Sequence, residues 1–343
     1  MISPVASVEH QPKKSPREGQ EEMKMKLLSR AGFAGLFICA AALFAACSES
    51  NTATETTVVV ETTVSEVAYP VTAGGITLDA QPMRIVSLSP THTEMLYAIG
   101  AGDQVVAVDE YSNFPAEAVA LGTKLSGYEP NVESIAGYEP DLVVISYDPG
   151  NLVEQLNALD IPVYIGNGAS SLEQAYEQIE QLGALTGHLD VAVQLTSQMQ
   201  TDIDAAVAAS SASATAMGEP ITYFYELDNT YYTVTSNTFV GQIFKLFGLE
   251  NIADGVEEGN DYPQLSSEVI VSSNPTMIFL ADTKCCAQTP ETVSVREGWQ
   301  KMDAVVNKNI VQLDDDIASR WGPRVVELVK SISDALALVK AGN

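Results

Sequence analysis

Short apolar runs alternate along the chain with segments in which apolar residues recur every three or four positions. The first such pair lies between Arg84 and Tyr111, where a predicted buried strand leads through the loop Ser89-Pro90-Thr91-His92 into a helix that opens at Thr93. Loops at the carboxyl ends of parallel strands, in front of a helix, are where α/β sheets usually hold ligands. This loop carries hydroxyls, a proline and a histidine but no nucleophile–base pair, so we interpret it as half of a binding cleft.

The same alternation continues after Tyr111 and predicts parallel sheets with helices on their faces. Segments 133–146 and 268–281 repeat one pattern, in which a glutamate stands seven residues before a proline that opens a six-residue apolar strand. Between them, residues 189–209 predict a helix roughly 30 Å long, followed by a flexible exit at 210–218. The predicted fold is therefore α/β, with two similar Rossmann-like lobes joined by a single long rigid helix.

The amino-terminal segment has the pattern of an export signal. Basic residues precede an uncharged apolar run, Ala31 to Ala46, which is shorter than the ~20 residues of a membrane-spanning helix. Its end, Leu-Phe-Ala-Ala-Cys47, resembles a bacterial lipoprotein signal with Cys47 as the lipidated first mature residue. An uncleaved anchor is the alternative, and both place the rest of the chain outside the cytoplasm at the cell membrane. The true start could be Met23 or Met25.

These patterns divide the chain into five segments. We predict a signal peptide at 1–46, a tether rich in Ser, Thr and Glu at 47–70, a first lobe at 71–188, an inter-lobe helix at 189–210 and a second lobe at 211–343. The first lobe should open with an edge hairpin that turns at Gly74-Gly75.

The charge of the chain argues against two classes of partner. Its 17 Lys and Arg face 45 Asp and Glu, a formal net charge of −28. Such a surface repels nucleic acid and anionic lipid head groups, so we expect no nucleic-acid partner and no membrane contact beyond the lipid anchor. A salty habitat is an alternative explanation of the same composition.

The four cysteines do not form a disulfide framework. Cys39 lies in the signal and Cys47 takes lipid, which leaves the adjacent pair Cys285-Cys286. Adjacent cysteines cannot join distant segments, so the fold relies on its apolar cores. The pair could be a strained vicinal disulfide, two free thiols or a soft-metal site, while the absence of nearby Cys or His in the sequence disfavours zinc.

Four stretches, in this order and spacing, resemble the substrate-binding proteins of ABC importers for cobalamin, haem and ferric siderophores, above all the branch that binds vitamin B12. They are RIVSLSPTHTEMLYAIGAGDQVVAVDEYSNFP, NVESIAGYEPDLVVIS, YPQLSSEVIVSSNPTMIF and DDDIASRWGPRVVEL, and the similarity covers residues 81–335. The resemblance implies two lobes that grip a ligand with little closure, delivery to an ABC permease with its ATPase, a monomer, and no required cofactor.

The resemblance also implies roles for individual residues. Its ligand-binding set comprises Ser89, Pro90, Thr91, His92, Tyr111, Tyr147, Asp148, Tyr262, Asp316, Arg320 and Trp321. Glu133 and Glu268 match the acidic residues, one per lobe, that dock on arginines of the permease. A corrin or porphyrin is a flat ring with a polar fringe, so aromatic residues suit the ring and Arg or Asp suits the fringe. Each role has an alternative. The tyrosines could simply pack half-buried, and Arg320 could form a surface ion pair. The two glutamates could be favoured at helix starts by the helix dipole.

Two of these residues have a second interpretation. His92 could be an axial ligand to cobalt or haem iron, since imidazole suits both metals, or it could hydrogen-bond within the cleft. Trp321 could lie over the ring or pack against the last helix. Apart from His92 and the cysteine pair, no candidate metal ligands are predicted.

We therefore expect an extracytoplasmic, lipid-anchored receptor without enzymatic activity that captures a corrinoid, with vitamin B12 as the first choice. Haem or a ferric siderophore is the alternative within the same fold, although a siderophore site would show more cleft cations than Arg320 and Lys284. A lipid-anchored metal-dependent hydrolase is the more distant alternative, and His92 and His188 are the two histidines that the mature chain offers it.

Overall fold

A computed structural model describes residues 68–216 and 218–340 of the chain. The predicted signal peptide, Cys47 and nearly all of the tether lie outside the described residues. The two lobes, within the described residues, belong to one compact unit.

The described part begins with the predicted hairpin. Strands β1 (Val71–Ala73) and β2 (Ile76–Leu78) pair antiparallel. Gly74 and Gly75 at the turn have φ angles of +55° and +80°, a conformation that glycine adopts without the steric cost of a side chain.

The first lobe is a four-stranded parallel sheet with helices on both faces. Strands β3 to β6 are Ile85–Ser87, Val105–Val108, Leu142–Ile145 and Val163–Ile165, and they lie in the order β4-β3-β5-β6. Helices α1 to α5 are Pro90–Ala98, Ala116–Ala120, Val132–Ala136, Leu152–Asn157 and Leu172–Thr186. All four residues of β5 are buried, as expected for a parallel strand covered on both faces.

One long helix, α6 (Leu189–Ala216), connects the lobes. Its 28 residues correspond to a length of about 42 Å. The prediction that the helix ends at Ala209 and gives way to a flexible exit is wrong, because residues 210–216 continue the helix. These residues are alanine, serine and threonine, and alanine is the strongest helix former.

The second lobe repeats the topology of the first. Strands β7 to β10 are Thr222–Glu226, Glu250–Asn251, Met277–Leu280 and Ile310–Gln312, in the order β8-β7-β9-β10, which matches the first sheet strand for strand. Helices α7 to α12 are Phe239–Leu246, Ser267–Ser273, Pro290–Ser294, Asp303–Val306, Asp315–Ser319 and Val325–Leu338. The predicted fold class, two similar α/β lobes joined by a long helix, is confirmed.

Helix α6 is part of a core that both lobes share. It packs against α5 of the first lobe and α12 of the second, and one cluster of buried apolar side chains includes Leu182, Met199 and Leu328 from these three helices. Within residues 68–216 and 218–340, no helix has the length and apolar character to cross a membrane.

Candidate functional site

The carboxyl ends of the two sheets meet in one inter-lobe region. The loop after β4 carries Asn113, whose Nδ2 donates to Asp316 of the second lobe at 3.1 Å. In the same loop, the carbonyl of Tyr111 accepts a hydrogen bond from Arg320 Nη2 at 3.2 Å. The region between the lobes is thus lined by loops at strand carboxyl ends, which is where such sheets hold ligands.

Three exposed tyrosines form a row on the first lobe. Tyr111, Tyr128 and Tyr147 are 53%, 66% and 41% exposed. The ring of Tyr128 stands edge-on to that of Tyr111, with centroids 5.6 Å apart, and its centroid lies 6.3 Å from that of Tyr147. Neighbouring rings that remain open to solvent offer a broad apolar surface with hydroxyl groups at its edge, which suits a flat ligand.

The sequence interpretation missed Tyr128. Its loop reaches the row because Asp109 and Leu125 form a parallel bridge and the N–H of Glu110 donates to the Leu125 carbonyl at 2.9 Å. Gly127 allows this approach, since a Cβ there would meet the Leu88 carbonyl oxygen at 2.7 Å. The sequence did contain a signal for this residue. Tyr128 is an aromatic residue in the polar turn Ser-Gly-Tyr-Glu-Pro, and such a residue in a loop indicates a binding role more than core packing.

A buried ion cluster joins the lobes beside this row. Glu94 of α1 is 3% exposed and accepts hydrogen bonds from Arg320 Nη1 at 2.7 Å and from Arg324 Nε and Nη2 at 2.8 and 2.6 Å. Asp316 lies 2.8 Å from Arg320 Nη2, so two carboxylates face two guanidinium groups. Removing one partner of such a buried group leaves an uncompensated charge, so the cluster favours one arrangement of the lobes.

Arg320 and Asp316, two predicted ligand contacts, take part in this junction. The Arg320 side chain is 9% exposed and the Asp316 side chain 21%. Burial by itself would raise the pKa of Asp316, but hydrogen bonds from Lys284 and Asn113 and the charge of Arg320 hold it below the usual value. Contact of either residue with a ligand stays a prediction, and Asp316 is the more open of the two.

Of the two interpretations of His92, the contacts of its ring fit hydrogen bonding within the protein, and metal ligation stays an untested alternative. The ring is fully buried, Nδ1 lies 2.7 Å from Ser89 Oγ, and Nε2 lies 3.1 Å from Gln178 Oε1. Burial lowers the pKa of His92 to about 4, against the hydrogen bond with Gln178, which raises it. Both ring nitrogens therefore have partners inside the protein.

His92 is enclosed because of the position at which α1 begins. This helix begins at Pro90, three residues earlier than predicted, because proline fits the first helical position. The supposed loop is therefore a helical turn that directs its side chains inward. Ser89 and Thr91 are 2% and 3% exposed, so their side chains are enclosed, and Pro90 is half-buried.

Trp321 packs across the junction. Its Nε1 donates to Gln178 Oε1 of α5 at 2.8 Å, and its ring stands edge-on to His92 with centroids 5.9 Å apart. The tryptophan therefore holds the second lobe against the first, a role that neither predicted alternative included.

The other two predicted ligand residues are exposed. Tyr262 is 57% exposed on the second lobe. Asp148 follows β5, and its Oδ1 accepts a hydrogen bond from the N–H of Val153 at 3.0 Å, which closes that loop. For both residues, ligand contact stays a prediction.

Glu133 and Glu268 occupy equivalent exposed positions. Each is the second residue of a helix, α3 or α8, whose capping residue accepts a hydrogen bond from a first-turn N–H, and each helix leads into a matched strand. Hydrogen bonds from its own backbone N–H and from Ser266 lower the pKa of Glu268, so its carboxylate stays charged. Docking on a permease stays a prediction for both.

The second lobe buries two carboxyl groups at the ends of β7 and β9. Glu226 accepts a hydrogen bond from Arg296 Nη1 at 2.6 Å, and the Arg296 guanidinium lies over the Trp299 ring at 4.7 Å. Asp282 is fully buried, and neither of its two carboxyl oxygens has a hydrogen-bond partner among the described residues. Burial and the Glu226 carboxylate raise the pKa of Asp282 to about 7. A protonated Asp282 can donate one hydrogen bond to Glu226, which reduces the cost of burying two carboxyl groups.

The described residues contain no cluster of three or more His, Cys, Asp or Glu arranged to hold a metal. Cys285 is exposed, Cys286 is half-buried, and both are free thiols. A cavity of about 700 Å³ lies beside Glu94 and Arg324 and is lined in part by Phe114 and Leu121. None of the three tyrosines of the row lines this cavity, so it is distinct from the aromatic surface.

Comparison with known proteins gives one consistent family. Residues 85–317 match the family model described as periplasmic binding protein. A cobalamin-binding protein of Halobacterium salinarum is 30% identical over 266 residues, which cover 76% of this chain and 71% of the relative. An uncharacterized ABC transporter substrate-binding lipoprotein of Bacillus subtilis is 28% identical over 318 residues, which cover 90% of this chain and 97% of the relative.

Solved structures share the fold. The crystal structure of the periplasmic vitamin B12 binding protein of Vibrio cholerae has a TM-score of 0.62 at 26% identity and covers 75% of this chain and 98% of that chain. A periplasmic heme-binding protein from Roseiflexus has a TM-score of 0.65 at 22% identity and covers 75% of this chain and 99% of that chain, which shows a common fold. The family model matches residues of both α/β lobes and of the helix between them. This chain therefore belongs to the periplasmic binding protein family.

Proposed function

We propose that this protein is the extracytoplasmic, lipid-anchored substrate-binding protein of an ABC importer, and that it captures a corrinoid, first of all vitamin B12. The observation that carries the proposal is the exposed row of Tyr111, Tyr128 and Tyr147 at the carboxyl ends of the first sheet. Relatives named cobalamin-binding and vitamin B12-binding proteins, at 28–30% identity, support the choice of ligand.

The chemistry of the surface fits a corrin. The tyrosine rings supply apolar area for the face of the macrocycle, and their hydroxyls can hydrogen-bond at its edge. The polar groups beside the row are Asn113, Asp316 and Lys284, linked by hydrogen bonds of 2.6 to 3.1 Å. Such groups can exchange partners with the amide side chains of a corrinoid without leaving a charge unpaired. Capture and release require no bond chemistry, so the proposed function is not enzymatic.

The junction between the lobes supports a cleft that is formed before the ligand arrives. The cluster of Glu94, Arg320 and Arg324 and the hydrogen bond from Trp321 to Gln178 tie the lobes together. A surface that is already ordered loses less conformational freedom on binding, which favours affinity.

Delivery requires a partner in the membrane. Glu133 and Glu268, exposed at equivalent positions of the two lobes, would pair with arginines of the permease, since carboxylates and guanidinium groups form bidentate contacts. The permease and its ATPase would complete the importer, and lipid on Cys47 would keep the receptor at the membrane.

Haem is the second candidate ligand. Tyrosine can ligate haem iron, and the same row offers three exposed phenols. A ferric siderophore is less favoured, because an anionic chelate would meet Lys284 with two aspartates already on its ammonium group.

Fluorescence titration of the detergent-solubilised full chain separates these ligands. The chain has two tryptophans, and Trp321 lies at the junction while Trp299 is fully buried. We expect saturable quenching by cyanocobalamin at sub-micromolar concentration. Saturation by haemin alone, with a Soret shift that a Tyr→Phe change in the row removes, would assign haem instead. No response to either ligand would contradict the proposal.

A further inference from the structure

The loop after β9 carries two adjacent thiols that solvent can reach. Cys285 is exposed and Cys286 half-buried, and both are free. The two residues are adjacent in the sequence and share one loop. A dithiol at this position has no role in the capture of a ligand described above.

The backbone holds this loop in place. The carboxylate of Asp315 accepts hydrogen bonds from the N–H groups of Thr283, Lys284 and Cys285 at 2.8, 2.9 and 2.9 Å. The N–H of Cys286 donates to the carbonyl of Asp282 at 3.2 Å. Hydrogen bonds therefore fix the backbone that carries both cysteines.

A disulfide between neighbouring residues would be labile. Consecutive Cα atoms are ~3.8 Å apart, whereas disulfides usually join Cα atoms ~4.4–6.8 Å apart. Strained disulfides are easier to reduce, and the reversible, regulatory ones belong to this class. Partial desolvation and the neighbouring Cys286 raise the pKa of the exposed Cys285 thiol to about 12. The attacking thiolate is therefore scarce and the exchange is slow.

We propose that Cys285 and Cys286 form a reversible redox site on the rim of the cleft. One thiol loses its proton and attacks a sulfur of an external small-molecule disulfide, which releases one external thiol and leaves a mixed disulfide. The second cysteine then displaces the remaining external thiol and closes the ring. The two cysteines are oxidised, the external disulfide is reduced to two thiols, and these carry the two protons.

Oxidation of the pair would affect the cleft through the contacts of Lys284, the residue before the pair. Its ammonium group lies 2.8 Å from Asp314 and 2.6 Å from Asp316. Asp316 in turn contacts Arg320 and, across the junction, Asn113. Ring closure constrains the peptide between the two cysteines, which carries the Cys286 N–H that donates to the Asp282 carbonyl. The resulting change of backbone angles at Cys285 loosens the contact of the Cys285 N–H with Asp315. This effect on ligand affinity rests on the proposed function, whereas the disulfide itself does not.

Peptide mapping of the full-length protein tests the site directly. Trypsin cleaves after Lys284 and Arg296 and gives one peptide, CCAQTPETVSVR, that holds both cysteines and neither Cys39 nor Cys47. The protein is equilibrated in glutathione buffers of increasing oxidised fraction, and the remaining thiols are alkylated. We expect an unalkylated peptide, lighter by two hydrogen atoms, that returns to the dithiol in reduced glutathione. In the matched control Cys286→Ser, this species cannot form.

Two alkyl groups on the peptide at every buffer composition, or mixed disulfides alone, would overturn the redox site. A second arm compares cyanocobalamin binding by the oxidised and reduced chains, with several-fold weaker binding expected after oxidation. Equal affinities would overturn the link to the cleft. Failure of both forms to bind would count against the proposed function and leave the peptide result unaffected.

Discussion

At the scale of single residues, the junction depends on buried charges that are matched across the lobes. Glu94 comes from the first lobe, and its partners Arg320 and Arg324 come from the second, more than 220 positions away. The side chains of all three residues are largely shielded from solvent. The charged groups therefore depend on one another for compensation.

Replacement of Glu94 by glutamine should destabilise the folded protein. Arg324 would then lose its carboxylate partner, and Arg320 would keep only Asp316. Breaking a buried pair from one side costs about 3 kcal/mol of unfolding free energy. Urea denaturation of the full chain measures this cost. Glu154→Gln, a first-turn glutamate on an exposed helix position, is the control and should change little. Equal stability of Glu94→Gln and the control would contradict a buried cluster.

Asp282 should make stability fall as pH rises. The folded protein retains a proton up to a pKa of about 7, while the unfolded chain releases it near the ordinary value of 3.8. Stability is therefore highest at low pH with respect to this group and is lost between about pH 4 and pH 7. Asp282→Asn keeps the shape of the neutral acid and should be more stable than the wild type at pH 8, by on the order of 2 kcal/mol.

Thermal or urea unfolding at pH 5 and pH 8 gives the comparison for Asp282. Asp160→Asn, an exposed aspartate with a φ of +59° that asparagine tolerates, serves as the control. A wild type as stable at pH 8 as its Asp282→Asn variant would show that the carboxyl group is not held neutral.

At the scale of elements, the start of α1 decides which side chains face inward. Its first turn buries His92 against the end of β6, where Gly166 leaves room for the imidazole. A Cβ at Gly166 would overlap the His92 ring. This close approach joins helix α1 to the end of strand β6, although the two are far apart in the sequence.

Gly166→Ala should therefore destabilise the first lobe. The added methyl group must displace a buried ring with two hydrogen bonds, and overpacking of this kind costs about 1–3 kcal/mol. Gly137→Ala is the matched control, because Gly137 has a helical φ of −62° and ordinary contact distances of 3.4 Å and more. Circular dichroism during urea unfolding measures the stability of both variants. Identical midpoints for the two variants would refute the packing described for His92.

Much of this architecture is predictable from local patterns, and the site is less so. The paired segments 133–146 and 268–281 predicted matched strands because apolar periodicity is local. The first turn of α1 was misassigned, since Pro90 fits a loop and a helix start equally well in sequence. The roles of Glu94 and Tyr128 depend on contacts with residues far away in the chain, which no local pattern contains. The long helix exceeded its predicted end because small residues were taken to be flexible.

At the scale of the whole molecule, the repeated topology of the two lobes determines where exposed side chains lie. The carboxyl ends of the strands meet at the junction and carry the tyrosine row. Helices α3 and α8 precede matched strands and present Glu133 and Glu268 in equivalent positions. The internal repeat thus places one exposed carboxylate at the matched position of each lobe.

The double variant Glu133→Gln/Glu268→Gln should bind ligand normally but fail to deliver it. Loss of two charge-assisted contacts weakens docking on the permease and leaves the cleft unchanged. Stimulation of the importer ATPase in proteoliposomes by ligand-loaded protein measures delivery. The control Glu154→Gln/Glu291→Gln removes two other first-turn carboxylates. Full stimulation by Glu133→Gln/Glu268→Gln would assign docking to another surface.

The central claim is that the tyrosine row receives the macrocycle, and equilibrium dialysis of the full chain against cyanocobalamin tests it most directly. Each lost ring contact should cost about 1 kcal/mol, so the triple change Tyr111→Ala/Tyr128→Ala/Tyr147→Ala should weaken binding roughly 100-fold. Tyr138→Ala, at the amino end of β5 and away from the row, should bind as the wild type does. Equal affinity of the triple variant and the wild type, or no binding by the wild type, would contradict the account.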